Sequence, residues 1–465
     1  MFDKKTYSAR RTQLRKDIDK GLIVFPANGE AAANYSGNTY PFRQDSNFLY
    51  FFGLKTPDMI GVIDVDSDTD WLYADNLTMD DIIWMGHLPK VEQQAESVGI
   101  INTGSINDLQ ELLHKAVLSK RKIHFVNPYR GELAIKLALW LSVPVAKIVE
   151  MQSVELIKAI VKQRSIKSSE EIEEIENAMI IAHQMHGVAM RMAKPDVYEY
   201  QIAGALQGIA ASHNGCMSFI PIVSIHGETL HNHHYDGQLC EGRMLVVDAG
   251  AETYNHYCSD ITRTTPVGGK FSNKQKEIYE IVLKANMTVI ETVKSGVPYR
   301  DYHINACKII FDGLKDLGLT KGDTDEAVRS GAHALFMPHG LGHFMGLDVH
   351  DMENMGENLF GYDDEIKRSS QFGLAYLRLG RRLEQGFVVT DEPGIYFIPA
   401  LIDLWESQDK FCQFINYDKV NNYRDFGGIR IEDDLLITKD GAQVLGPRIP
   451  KTVEEIEAWC LGDIR

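Results

Sequence analysis

Residues 244–264 read MLVVDAGAETYNHYCSDITRT. An apolar run from Met244 leads into Asp248, a polar tip lies near Tyr254, and the chain returns through Tyr257 and Cys258 to Asp260 and an alternating Ile-Thr-Arg-Thr. This is the pattern of a β-hairpin, with strands expected over 244–251 and 257–264. The two acids fall at corresponding places on its strands, with side chains on one face about 5 Å apart. A carboxylate ending an apolar strand costs free energy unless it is paired or metallated, and such a pair can bridge ions about 3.5–4 Å apart. Turn or backbone hydrogen bonds, common beside Gly and Ser, are the competing reading for both acids.

Around the hairpin, strands are expected at 217–223, 386–390 and 429–438, and helices at 196–211, 272–294 and 298–317. A further helix starts at a capping box, Ser168 with Glu171, and carries Ile172, Ile175, Met179, Ala182 and Ala189 on one stripe down to Pro195. Met185 and His186 read as part of its packing. Helices and antiparallel strands mixed in one large unit predict an α+β arrangement with helices outside a curved sheet. Residues 1 to about 160 read differently. GLIVFPA (21–27), MIGVIDV (59–65) and KIHFVN (122–127) alternate with helices at 78–87 and 106–119, which predicts an α/β domain with a mixed sheet. The boundary is expected near the polar run 162–169, giving domains of 1–162 and 170–458.

Three more segments repeat the theme of polar groups at strand ends or in Gly-rich loops. HGLGHFMGLDVHD carries His339, His343 and His350, with Gly340, Gly342 and Gly346 permitting close backbone approach. VVTDEPGIYF places Glu392 before Pro393-Gly394, and FGGIRIEDDLLIT places Glu432 in an apolar strand, sharing side-chain parity with Arg430 and Asp434 while Asp433 points away. One imidazole among carboxylates is a sensible metal shell. Singly, each His reads as structural and each acid as a salt-bridge partner.

The 465-residue chain is 44% hydrophobic and 24% charged, with a formal net charge of −17. That charge opposes a phosphate-tracking surface, so no nucleic-acid partner is expected. The start, MFDKKTYSARR, lacks an apolar segment, and the apolar stretch 133–149 is broken by Lys136, Pro144 and Lys147. No membrane association and a cytoplasmic location are therefore expected. Six cysteines at 216, 240, 258, 307, 412 and 460 show no CxxC spacing, and read as reduced thiols rather than disulfides or zinc ligands. No dinucleotide, P-loop or GxSxG fingerprint occurs in the N-terminal part.

In chain order, DAG, SDITRT, HGLGH, EPG and GIRIEDD resemble the pita-bread metallopeptidases: prolidases, aminopeptidases P and methionine aminopeptidases. The resemblance covers roughly residues 170 to 450. YPFRQDSNFLYFFGL (40–54) extends it to the N-terminal domain of prolidase and aminopeptidase P. It implies a pita-bread catalytic domain and two divalent metal ions held by Asp248, Asp260, His343, Glu392 and Glu432. In that scheme Asp248 chelates one ion, His343 and Glu392 mainly hold the other, and Asp260 with Glu432 bridges them. The oxygen-rich shell favours Mn2+, with Zn2+, Co2+ or Fe2+ able to occupy the same geometry. The ions would acidify a water for attack on the carbonyl preceding proline, and Glu392 would also handle a proton.

The resemblance also assigns His231, in IHGETLHNHHYDG, and His350 to substrate hydrogen bonding or proton relay, and His339 to the proline pocket. The crowded His226, His231, His233 and His234 read alternatively as a transition-metal patch. Arg378 resembles a prolidase arginine that binds the terminal carboxylate of the substrate, and Arg430 would assist substrate or orient the metal site. A plain ion pair is the alternative for each arginine. The long stretch between Glu392 and Glu432 resembles prolidases, where it would wall off longer peptides. The expected activity is thus an Xaa-Pro dipeptidase acting on short proline-containing peptides, with homodimerisation implied. The alternatives are aminopeptidase P activity on longer peptides and a non-enzymatic peptide-binding relative. One departure stands out, a hairpin between Asp248 and Asp260 that looks one residue longer than in many relatives.

Overall fold

The computed structural model describes residues 2–462. The chain divides between Arg164 and Ser165 into two compact units. In the N-terminal unit five strands form a sheet in the order Asn102–Gly104, Thr69–Tyr73, Ile60–Asp64, Leu22–Pro26 and Ile123–His124. The inner pairings are antiparallel and both edge pairings parallel, so the sheet is mixed. Leu22, Val24, Ile60 and Val62 pack on Leu109, Leu113 and Ala116 of the helix Ile106–Leu118. Each such side chain, fully buried, contributes about 1.5–3 kcal/mol if it is as large as Val or Leu. The segment 40–54 supplies the wholly buried helix Ser46–Phe52, capped by the Asp45 carboxylate accepting from the Phe48 N–H and stopped by Gly53 at φ 65°.

The C-terminal unit opens with the helix Ser169–Met192, whose capping box at Ser168 and Glu171 is formed on both sides. Its Ile181, Met185 and Ala189 join Ile202 and Leu206 of the helix Glu199–Ser212 over Val223, Leu245 and Val247 of a three-stranded sheet. Strand periodicity then sets the opposite face of the sheet: Leu245 and Val247 face these helices, so Met244, Val246 and Asp248 face the other way. The helices Asn273–Thr292 and Tyr299–Asp316 pack against each other elsewhere in the same unit. No described helix is long and apolar enough to cross a membrane.

Four expected strands are interrupted or shortened: 244–251 breaks into Met244–Asp248 and Ala251–Glu252, the return strand runs only from Thr262 to Pro266, and two others split. The span 217–223 is split into Cys216–Met217 and Ile222–Ser224, with Pro221, which has no N–H to give a ladder, just before the second. The span 429–438 is split into Gly428–Arg430 and Asp433–Ile437. At the break the Ile431 N–H donates to the Pro393 carbonyl and the Glu432 N–H to the Thr262 carbonyl, each across to a different segment.

Candidate metal centre

Four carboxylates reach one cavity on two strand pairs. In the first, Asp248 stands opposite Thr262. Asp260 lies one pleat further along the return strand, rather than directly across as the hairpin count suggested, and keeps the same side-chain parity. The hairpin length does not disturb this register: Glu252 bridges Cys258 in step with the Asp248–Thr262 pairing. In the second pair, Asp391 is opposite Asp433 and Gly394 opposite Arg430. The same register sets Glu392 opposite Glu432, at the point where both strands are interrupted. Like charges placed so oppose folding unless a cation lies between them.

The fifth group comes from the glycine-rich loop. A Cβ on Gly342 would meet the Thr390 carbonyl oxygen at 2.2 Å, so only glycine lets this loop lie against the strand Val388–Asp391. Thr390 Oγ1 accepts from the His343 N–H at 3.1 Å, and the Thr390 N–H donates to the His343 carbonyl at 3.0 Å. The His343 ring donates Nδ1–H to the Phe344 carbonyl at 2.9 Å. That tautomer leaves Nε2 bare, 3.4 Å from Asp260 Oδ2 and 3.7 Å from Glu392 Oε1.

Donor atoms of Asp248, Asp260 and Glu432 lie within 4.8 Å of one another, as do those of His343, Glu392 and Glu432, and those of Asp260, His343 and His350. Glu432 and Asp260 each belong to two groups and Asp248 to one. Buried Asp248 Oδ1 and Asp260 Oδ1 have no hydrogen-bond partner. Burial, with neighbouring Asp248, Asp434 and Glu392, pushes the Asp260 carboxyl well above the usual range. Burial, with Asp260, Glu392 and Asp248, does the same to Glu432. Glu392 is raised by burial against the opposing pull of His343 and Arg430.

Asp433 shows how this chain neutralises a buried acid otherwise. It holds Arg263 at 2.7 Å and Lys451 at 2.6 Å, and these outweigh burial to lower its pKa. Among the described residues the four cavity carboxylates have one arginine or lysine partner, Arg430 on Asp248 at 2.6 Å. A set of four acids, one guanidinium and a bare imidazole nitrogen is a set that cations complete.

The cavity measures about 530 Å3 and is lined by all ten residues singled out from sequence. His231 sits on its exposed side. His350 stacks on His343 with ring centroids 3.8 Å apart, and its Nδ1 is 2.7 Å from Glu353 Oε1. Burial and the neighbouring His343 push His350 down to about 4, so its neutral ring donates Nδ1–H to Glu353 and presents Nε2 as an acceptor. His339 has both nitrogens occupied, by the Gly340 carbonyl at 2.7 Å and the Tyr396 hydroxyl at 2.9 Å. Arg430 spends its guanidinium on Asp248, Thr262 Oγ1 and Tyr396 Oη. Arg378 pairs with Glu353 at 2.7 Å.

Sequence reasoning missed Tyr396, Thr262 and Glu353. The Thr262 hydroxyl donates to Glu432 Oε2 at 2.7 Å, and Glu353 ties His350 to Arg378. Only Glu353, three residues beyond His350, carried a local signal. The long segment between Glu392 and Glu432 contributes no cavity-lining residue among those described except Arg430 at its very end. Its helix Pro399–Ser407 instead sets Trp405 against Phe372, which meets Tyr376 at the cavity wall.

Residues 173–439 match the model for metallopeptidase family M24, and residues 7–124 match the aminopeptidase P N-terminal domain. The chain is 32% identical to human Xaa-Pro dipeptidase over 97% of its own length and 91% of that protein. It is 35% identical to a probable Xaa-Pro aminopeptidase of Fusarium vanettenii over 90% of its length and 87% of that protein. Among solved structures it resembles zinc-substituted Escherichia coli aminopeptidase P in complex with product, with a TM-score of 0.81 at 26% identity, covering 100% of this chain and 99% of that one. With its mixed-sheet N-terminal unit and its pita-bread catalytic unit, the chain belongs to metallopeptidase family M24.

Proposed function

We propose that the chain is a metal-dependent peptidase that cleaves the bond preceding proline, and that Xaa-Pro dipeptides are its preferred substrates. The observation that carries the reading is the convergence of Asp248, Asp260, His343, Glu392 and Glu432 on one cavity with a single basic partner among four acids. In this reading Asp248, Asp260, His343, Glu392 and Glu432 would hold two cations, with Asp248 toward one, His343 and Glu392 toward the other, and Asp260 and Glu432 between. The oxygen-rich donor set favours Mn2+. Bound cations would lower the pKa of water and polarise the scissile carbonyl.

The side chains do the rest. Glu392, which lines the cavity beside His343, would take the proton released on attack and deliver it to the departing proline nitrogen. Arg430 holds Asp248 in orientation through a hydrogen bond at 2.6 Å, and Thr262 fixes Glu432. Neutral His350 offers an acceptor to the substrate, and His231 binds it from the open side. Phe219, Ile222, Leu230 and Val349 give the apolar walls that a proline ring needs. His339 belongs to the same wall through its ring.

Arg378, partly exposed on the cavity wall, is the group that would pair with the free carboxylate of a dipeptide. An aminopeptidase acting on longer peptides is the second reading. It is favoured by the near-absence of the Glu392–Glu432 insertion from the cavity lining and by the likeness to E. coli aminopeptidase P. Hydrolysis of Gly-Pro and Gly-Pro-Pro at matched metal loading separates them. Faster turnover of Gly-Pro supports the dipeptidase reading, and strong activity confined to the tripeptide overturns it. A homodimer is proposed on the family resemblance alone, and sedimentation equilibrium measures it.

A further inference from the structure

Away from the carboxylate cavity, the helix Tyr299–Asp316 carries His303 and Cys307 one turn apart, and the short turn Ala332–Leu335 carries His333. Their exposures are 0%, 0% and 1%. One donor atom from each lies within 4.8 Å of the others. Cys307 Sγ is 3.6 Å from His303 Nε2. Neither nitrogen of His333, nor Nδ1 of His303, has a well-formed hydrogen-bond partner. Buried polar atoms without a well-formed partner are costly to enclose, and the nearest backbone partner of His333 is Val328. The group borders a cavity of about 370 Å3, whose other walls include Lys308, Asp325 and Arg329. Lys308 and Asp325 form an ion pair at 2.5 Å and are partly exposed.

We infer that His303, Cys307 and His333 form a separate mononuclear site for a soft divalent ion, Zn2+ in preference to Mn2+, with its fourth position open to the 370 Å3 cavity. Tetrahedral Zn–S and Zn–N bonds of about 2.3 and 2.0–2.1 Å place sulfur and nitrogen ligands about 3.6 Å apart. The Cys307–His303 distance already has that value, and a His333 nitrogen lies within 4.8 Å of a donor atom on each of them. Thiolate and imidazole select zinc where the carboxylate-rich centre selects harder ions. On binding, the Cys307 S–H bond breaks, its proton leaves to solvent, and the sulfur lone pair forms the Zn–S bond, with no redox change. All six cysteines are free thiols, as expected; on this proposal Cys307 would in addition be a ligand. No CxxC spacing announces the site, because two ligands sit one helical turn apart and the third comes from a distant turn.

The test is Co2+ titration of the full-length protein followed by absorption spectroscopy. The carboxylate centre contains no sulfur ligand, so a thiolate-to-cobalt charge-transfer band reports this site alone. With the carboxylate centre first filled with Mn2+, the expected result is a band whose intensity corresponds to one thiolate-bound cobalt per chain, and which is displaced by Zn2+ and not by further Mn2+ and is lost in Cys307→Ala. In His333→Gln, which keeps the thiol, the band should need at least tenfold more Co2+ for half-saturation. No band in the wild-type protein, a band that persists in Cys307→Ala, or an unchanged titration in His333→Gln overturns the assignment.

Discussion

His343 and Asp433 show at single residues what separates a candidate metal ligand from a buried structural group. Asp433 is closed off by Arg263 and Lys451, whereas His343 has its Nδ1–H spent on a carbonyl and its other nitrogen turned toward acids. Glu392→Gln removes the proton carrier and one anionic donor while keeping shape. It should fold normally and lose about 10²-fold or more in turnover, and turnover near wild type, with metal content verified, would reject the role. Arg378→Met should raise KM for Gly-Pro by about tenfold, the loss of one exposed charge-assisted contact, and leave Gly-Pro-Pro less affected. Equal effects on both substrates would remove Arg378 from carboxylate recognition. The five side chains that meet at the cavity were singled out in sequence through the family resemblance of the motifs that carry them, since each alone reads as an ordinary structural group. Tyr396 and Thr262 were not, because their hydrogen bonds join segments that sequence does not place together, whereas Glu353, three residues beyond His350, could have been found locally.

Among the elements, the decisive feature is a shared interruption. The strands ending at Asp391 and Arg430 resume at Gly394 and Asp433 in one register, and the gap sets Glu392 against Glu432. The sequence pattern supplied the strands and their parity but not the gap, since Ile431 and Glu432 continue the apolar alternation without a break signal. Pro221 did carry such a signal for the strand it interrupts. The glycine loop makes a sharper demand. Gly342→Ala forces a methyl group into the Thr390 carbonyl, 2.2 Å from the added carbon, so the loop must shift and take His343 with it. A stability loss of about 1–3 kcal/mol is expected, with weakened metal retention, and both are measured by thermal unfolding with and without added Mn2+. An unchanged melting temperature in both conditions would show that the loop yields freely.

Over the whole molecule, stability should depend on pH through buried imidazoles as well as acids. His186 is fully enclosed, bonded through Nε2 to the Ala249 carbonyl at 3.0 Å, and burial lowers it to about 4. An unfolded histidine titrates at about 6.5, so between these values the unfolded chain binds a proton that the folded chain does not. The His186 contribution is therefore complete above about pH 6.5 and is lost as pH drops toward 4, by about 3.5 kcal/mol at about 1.4 kcal/mol per unit, while the raised Asp260 and Glu432 carboxyls act with the opposite sign in the metal-free protein. Urea midpoints of the metal-free protein from pH 7.5 to 5 measure this, and His186→Phe should flatten the slope; an equal slope in the variant would assign the dependence to other groups. The boundary was expected at the polar run 162–169 ahead of a capped helix, and the two compact units part between Arg164 and Ser165. The half-exposed strands Thr69–Tyr73 and Asn102–Gly104 were not readable, since little apolar alternation marks them.

The most direct measurement is anomalous diffraction at the manganese edge from crystals of the Mn2+-loaded protein. Two peaks about 3.5–4 Å apart are expected, one beside Asp248, the other beside His343 and Glu392, with Asp260 and Glu432 touching both. A cavity without peaks, or ions bound away from these five side chains, would contradict the assignment.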